Sequence, residues 1–131
     1  MGIKTEQNLK SWDEIGKPLF ERKEIYFPKK QLSLYLKSKN WGITGNHKAT
    51  VLSINSNLEF HPDKNTEYIF KGFGEIIYKS ENGKLKIYYS NFIPEIPKNF
   101  KSEIQVELIE LKGNEWRVLN RKVNAGYKKF E

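Results

Sequence analysis

Ile76-Ile77-Tyr78-Lys79-Ser80-Glu81-Asn82-Gly83-Lys84-Leu85-Lys86-Ile87-Tyr88-Tyr89 decides the fold class. Two runs rich in β-branched and aromatic residues flank Asn82-Gly83. An Asn-Gly pair between alternating hydrophobics is the strongest short-range hairpin signal, because both residues tolerate positive φ. Toward the N-terminus the same alternating face continues back through Gly74, Gly72, Phe70 and Tyr68. Its two glycines predict a bulge or a change of strand. Further back, Lys48 to Ile54 form another β-branched run. Leu32, Leu34 and Leu36 alternate with Ser33, Tyr35 and Lys37, the mark of a half-buried strand.

Toward the C-terminus, Ile104, Val106 and Leu108 alternate with Glu103, Gln105 and Glu107. The alternation slips at Ile109, which predicts a bulge between Glu107 and Glu110. Lys112-Gly113-Asn114 predicts a second hairpin, leading into a strand from Trp116 to Arg121. Ile93-Pro94-Glu95-Ile96-Pro97 reads as an extended linker between sheets, since each proline fixes φ and biases its predecessor away from helix. Pro18, Pro28, Pro62, Pro94 and Pro97 all fall at or beyond expected strand ends, or in loops. The expectation is all-β: a single antiparallel β-sandwich of about seven strands, with a small β-barrel as the runner-up. Residues 24–131 make the β domain. Residues 1–23 are a polar tether or a short docked helix, with Leu9, Trp12 and Ile15 spaced three apart ahead of Gly16 and Pro18.

Composition narrows the function classes. The chain has 131 residues, 37% hydrophobic and 14% aromatic, enough for one core. No apolar run approaches the roughly 18 residues of a membrane-spanning helix. Without cysteine there is no disulfide, thiolate metal site or thiol nucleophile. No serine sits in a nucleophile elbow and no carboxylate pair has a catalytic context, so a non-catalytic protein is expected. His47 and His61 are the only histidines, with no spacing that brings three ligands together. Neither a metal nor a cofactor is expected.

The net charge of +7 is unevenly placed. Between Glu24 and Glu59 there is no acid, while Lys29, Lys30, Lys37, Lys39 and Lys48 are interleaved with Tyr26, Phe27, Tyr35 and Trp41. Basic strands with aromatics are how single-strand nucleic-acid binders hold phosphate and stack bases. Against this, only three of the 23 bases are arginine, the preferred bidentate phosphate reader. Lysine on an outer strand face also guards against edge-to-edge association, and that solvated role is the favoured expectation. Trp41-Gly42-Ile43-Thr44-Gly45-Asn46-His47 is the loop most suited to function, because it joins an aromatic, backbone freedom and an imidazole beside the basic run. The candidate binding residues are therefore Trp41, Gly42, Gly45, Asn46 and His47, with Tyr35, Lys37 and Lys39 on the adjoining strand.

Trp41 to His47, the strand ending Val51-Leu52-Ser53, then Phe70-Lys71-Gly72, Ile76-Ile77-Tyr78-Lys79 and Gly83-Lys84-Leu85-Lys86-Ile87-Tyr88-Tyr89 resemble small bacterial lipoprotein-type β domains. The resemblance runs from about Leu32 to Tyr89 and transfers no catalytic or binding residue. It implies export, with a lipidated cysteine upstream of the polar segment and the membrane reached only through that tether. The expected function is a binding or interaction module whose partner is a protein or cell-envelope component. The alternative is a small β-barrel binding single-stranded nucleic acid or another polyanion.

Overall fold

A computed structural model describes residues 16–42 and 45–130. Among these described residues nine strands and one short helix follow in order: β1 (Gly16–Phe27), β2 (Leu32–Gly42), β3 (His47–Ser53), β4 (Tyr68–Lys71), β5 (Glu75–Glu81), β6 (Lys84–Ser90), β7 (Pro94–Glu95), β8 (Gln105–Glu110), α1 (Glu115–Asn120) and β9 (Lys128–Phe130). They build two sheets, one of five strands in the order β1-β2-β3-β4-β7 and one of four in the order β8-β6-β5-β9. Each sheet has open edges, so the architecture is a β-sandwich and not the runner-up barrel.

Alternation buries one face of each sheet against the other. Ile25, Phe27, Leu34, Leu36, Leu52 and Phe70 from the five-stranded sheet meet Ile76, Tyr78, Leu85 and Ile87 from the other, and Phe92 and Ile104 complete the core. Phe70 anchors the aromatic part, with Phe92 edge-on at 5.6 Å and Tyr89 at 6.0 Å. Apolar burial of this kind contributes about 1.5–3 kcal/mol for each large side chain.

Asn82-Gly83 turns β5 into β6, pairing Glu81 with Lys84, and only Gly83 takes the left-handed φ of 69°. Gly72 and Gly74 mark a change of strand that is also a change of sheet. Gly74 is obligatory there, because an added Cβ would collide with the Ser90 carbonyl and come within 2.6 Å of the Phe92 ring.

Four details differ from the sequence expectations. First, β8 pairs with β6 in parallel, without a bulge, from Gln105 through Glu110. A parallel pair needs a long crossover. Residues 91–104 supply it by crossing to the opposite sheet, where Pro94–Glu95 forms the edge strand β7. Second, Glu115–Asn120 is a helix, not a strand: Gly113 at φ 58° reverses the chain and Leu119 is the only buried helix residue, while Val118 is 53% exposed. Glu115 Oε1 accepts from the Lys112 amide at 2.9 Å, steadying the first turn. Third, β1 starts at Gly16, so residues 16–23 belong to the sheet and not to the leader. Pro18 falls within this edge strand, at the register break between Gly16 and Leu19. Fourth, β2 is an interior strand between β1 and β3, so its lysines guard no edge. The helix expected around Leu9, Trp12 and Ile15 lies outside the described residues.

Candidate functional site

In β2, Tyr35, Lys37, Lys39 and Trp41 alternate with the core residues Leu34 and Leu36 and so share the outer face of the five-stranded sheet. Pairing aligns Arg22, Lys37, Val51 and Ile69 across that face, and brings His47 opposite Trp41. The Trp41 and His47 rings stack, 5.5 Å between centroids and 19° between planes. Lys39 Nζ lies 5.4 Å from the Trp41 ring and 5.9 Å from that of Phe20. The Arg22 guanidinium sits 6.0 Å from the Tyr35 ring. Cations held over ring faces in this way are oriented without being neutralised.

The turn beside Trp41 depends on its glycines. Gly42 and Gly45 adopt φ of 98° and 68°, and the Gly45 amide donates to the Gly42 carbonyl at 3.1 Å. A Cβ on Gly42 would strike the Asn46 side chain and press on His47. Ile43 and Thr44 lie outside the described residues.

Lys37 departs furthest from its expected place. It is 1% exposed, not part of a solvated face. Residues 54–67, the connection from β3 to β4, fold back over the outer face and cover it. Phe60 packs there on Val51 and Ile69, with Phe20 edge-on at 5.7 Å. Lys37 Nζ donates to the Asn57 carbonyl at 3.0 Å and lies 4.9 Å from the Phe60 ring centroid. Arg22 donates to the Ser56 carbonyl at 2.6 Å. Two cations on adjacent strands thus pin one loop by its backbone.

The rest of the loop is tied to itself. The Ser53 hydroxyl accepts from the Asn55 amide, and Asn55 Oδ1 accepts from the Asn57 amide. Asp63 holds the next turn, one oxygen accepting from the Asn65 amide and the other from the Thr66 hydroxyl. Glu67, 7% exposed, accepts from the Asp63 amide at 2.8 Å through Oε1.

Between loop and sheet lies an open pocket of about 470 Å³, lined by Lys37, Ser53, Ile54, Asn55, Asn57, Glu59, Phe60, His61, Asp63, Thr66 and Glu67. Burial pushes the Lys37 amine below its ordinary range. Glu67 opposes that shift by attraction, and Arg22 adds to it by repulsion. Among the described residues no cluster of His, Asp and Glu is arranged to hold a metal ion.

The structure therefore brings Tyr35, Lys37, Lys39, Trp41 and His47 onto one face and sets Gly42, Gly45 and Asn46 at its end. Sequence reasoning missed Phe20, Arg22, Phe60 and Glu67. The signal was the length of the connection: 14 residues without strand or helix, between two paired strands, are uncommon unless the loop is compact and functional. Comparison with protein-family models, curated proteins and solved structures finds no match.

Proposed function

We propose that this domain is a non-catalytic binding module of an exported protein, tethered to the membrane upstream of the β domain, with a protein or cell-envelope component as its partner. The contact surface is the end of that sheet's outer face beside the covering loop, around Lys39, Trp41 and His47. The observation that carries this reading is the array of Phe20, Lys39, Trp41 and His47 beside a loop-built polar pocket. Folding of the sandwich core needs none of these ring-to-cation contacts, whereas recognition surfaces rely on oriented aromatic and cationic groups. Single-stranded nucleic acid draws less support, since Lys37 is buried under the loop.

The test is site-specific photo-crosslinking in cells that produce the protein with its native leader. A crosslinker at exposed Asn46 should give a discrete adduct that disappears in Trp41→Ala. The same adduct from exposed Arg117, or none from Asn46, would overturn the choice of face. An unprocessed, freely soluble native chain would overturn the tether.

A further inference from the structure

Lys37 and Glu67 line the same pocket, carry opposite charges and are both more than nine-tenths buried. Yet they are not an ion pair. Among the described residues every salt bridge within 4.0 Å lies elsewhere. Each keeps one hydrogen bond to the protein, and Glu67 Oε2 is not among the buried atoms left without a partner. Among the described residues one Lys37 N–H group has a protein acceptor, the Asn57 carbonyl, and the ammonium also lies over the Phe60 ring. Among the described residues Glu67 is engaged through Oε1, whereas both oxygens of neighbouring Asp63 are taken up by the loop.

Both side chains line one open pocket. We infer that it takes a small zwitterion, an amino acid whose carboxylate accepts from Lys37 Nζ and whose ammonium donates to Glu67 Oε2. A simple anion would satisfy Lys37 but meet Glu59, Asp63 and Glu67. A simple cation would satisfy the carboxylates but meet a buried ammonium. Only a ligand carrying both signs answers both walls. A volume of about 470 Å³ falls within the usual range for small-ligand sites. The inference rests on reading this face as a binding surface and specifies what its pocket holds.

The experiment titrates the full chain with glycine, β-alanine and 4-aminobutyrate, zwitterions of increasing length. Acetate and methylammonium serve as single-charge controls. The amide signals of Thr66 and Glu67 are followed by NMR. The expected result is saturable binding of at least one zwitterion, about tenfold or more tighter than either control, as two charge-assisted hydrogen bonds require. Lys37→Met and Glu67→Gln should each weaken that binding by about tenfold while keeping a dispersed spectrum. Glu67→Gln keeps the shape of the side chain, so it reports even if Lys37→Met perturbs folding.

Acetate or methylammonium binding as tightly as any zwitterion would overturn the inference, as would no saturable shift at about 50 mM, well beyond the range of specific sites. If the zwitterions fail while the Asn46 crosslink persists, the ligand class alone falls. If both fail, the binding face falls with it.

Discussion

Lys37 Nζ, rooted in an interior strand, donates to the carbonyl of Asn57 in the covering loop at 3.0 Å. One bond thus ties the second strand of the sandwich to a segment twenty residues further along the chain. It makes the outer face of the five-stranded sheet a second, smaller packing layer.

Phe60 is the apolar half of that layer, and its removal should be costly. Phe60→Ala strips the ring from Val51, Ile69, Phe20 and the Lys37 ammonium together. A loss of about 3 kcal/mol is expected in denaturant unfolding, with the loop amides exchanging faster than the core strands. A loss below about 0.5 kcal/mol, the scale of ordinary surface changes, would show that the loop does not pack as described.

Arg22→Ala should act more locally. Its bond to the Ser56 carbonyl is exposed, so a stability change of about 0.5–1.5 kcal/mol is expected. Hydrogen exchange should quicken around residues 54–57 and stay unchanged in β5 and β6. Uniform quickening across both sheets would contradict a tethering role.

Gly72 and Gly74 separate two kinds of glycine requirement. Gly72 has open space around its missing Cβ but a φ of 107°, so Gly72→Ala should cost about 1–2 kcal/mol through backbone strain. Gly74 faces the Ser90 backbone and the Phe92 ring, so Gly74→Ala must displace strand against core and should cost more. Thermal unfolding of the two variants side by side checks the order; the reverse order would contradict the β4–β5 crossing.

Alkaline pH should destabilise the sandwich through its buried tyrosines. Burial and the hydrogen-bonded Tyr127 push the Tyr88 phenol up to about 12, and burial raises Tyr68 and Tyr78 as well. A folded value above the unfolded one of 10.0 contributes stability that is complete below pH 10 and is lost as pH climbs toward 12. Tyr127→Phe removes the hydrogen bond and the neighbouring phenolate. Tyr88 should then ionise at lower pH, read by phenolate absorbance. No change in its titration would contradict the pairing.

The central layer of the fold was legible in the sequence because its alternation is strict. Leu34, Leu36, Leu85 and Ile87 are fully buried where period-two spacing puts them, and Asn82-Gly83 forms the turn. What period-two spacing cannot convey is whether the polar side of a strand faces water or another piece of chain. Lys37 occupies a polar position in β2, and only the return of residues 54–67 buries it.

The same limit hid α1, where one buried residue, Leu119, leaves no periodic signal. It also hid the parallel β6–β8 pair, since pairing direction depends on where the crossover lands. The candidate site was half visible: Tyr35, Lys39, Trp41 and His47 sit together through strand alternation and one cross-strand pair. Phe20, Arg22, Phe60 and Glu67 reach the site from β1 and the loop, through contacts no local pattern encodes.

The most direct measurement is the titration of the Lys37 side chain, followed by NMR of its ε-carbon and assigned with Lys37→Met. Burial under the loop requires this lysine to lose its proton at lower pH than the usual 10.5. Because the folded state then binds fewer protons than the unfolded one, its contribution to stability should rise with pH through the interval below 10.5. The expected result is a Lys37 curve shifted below 10.5, with the shift reduced in Phe60→Ala. A Lys37 curve centred at the usual 10.5 would contradict the covered amine, and with it the pocket that the loop builds around it.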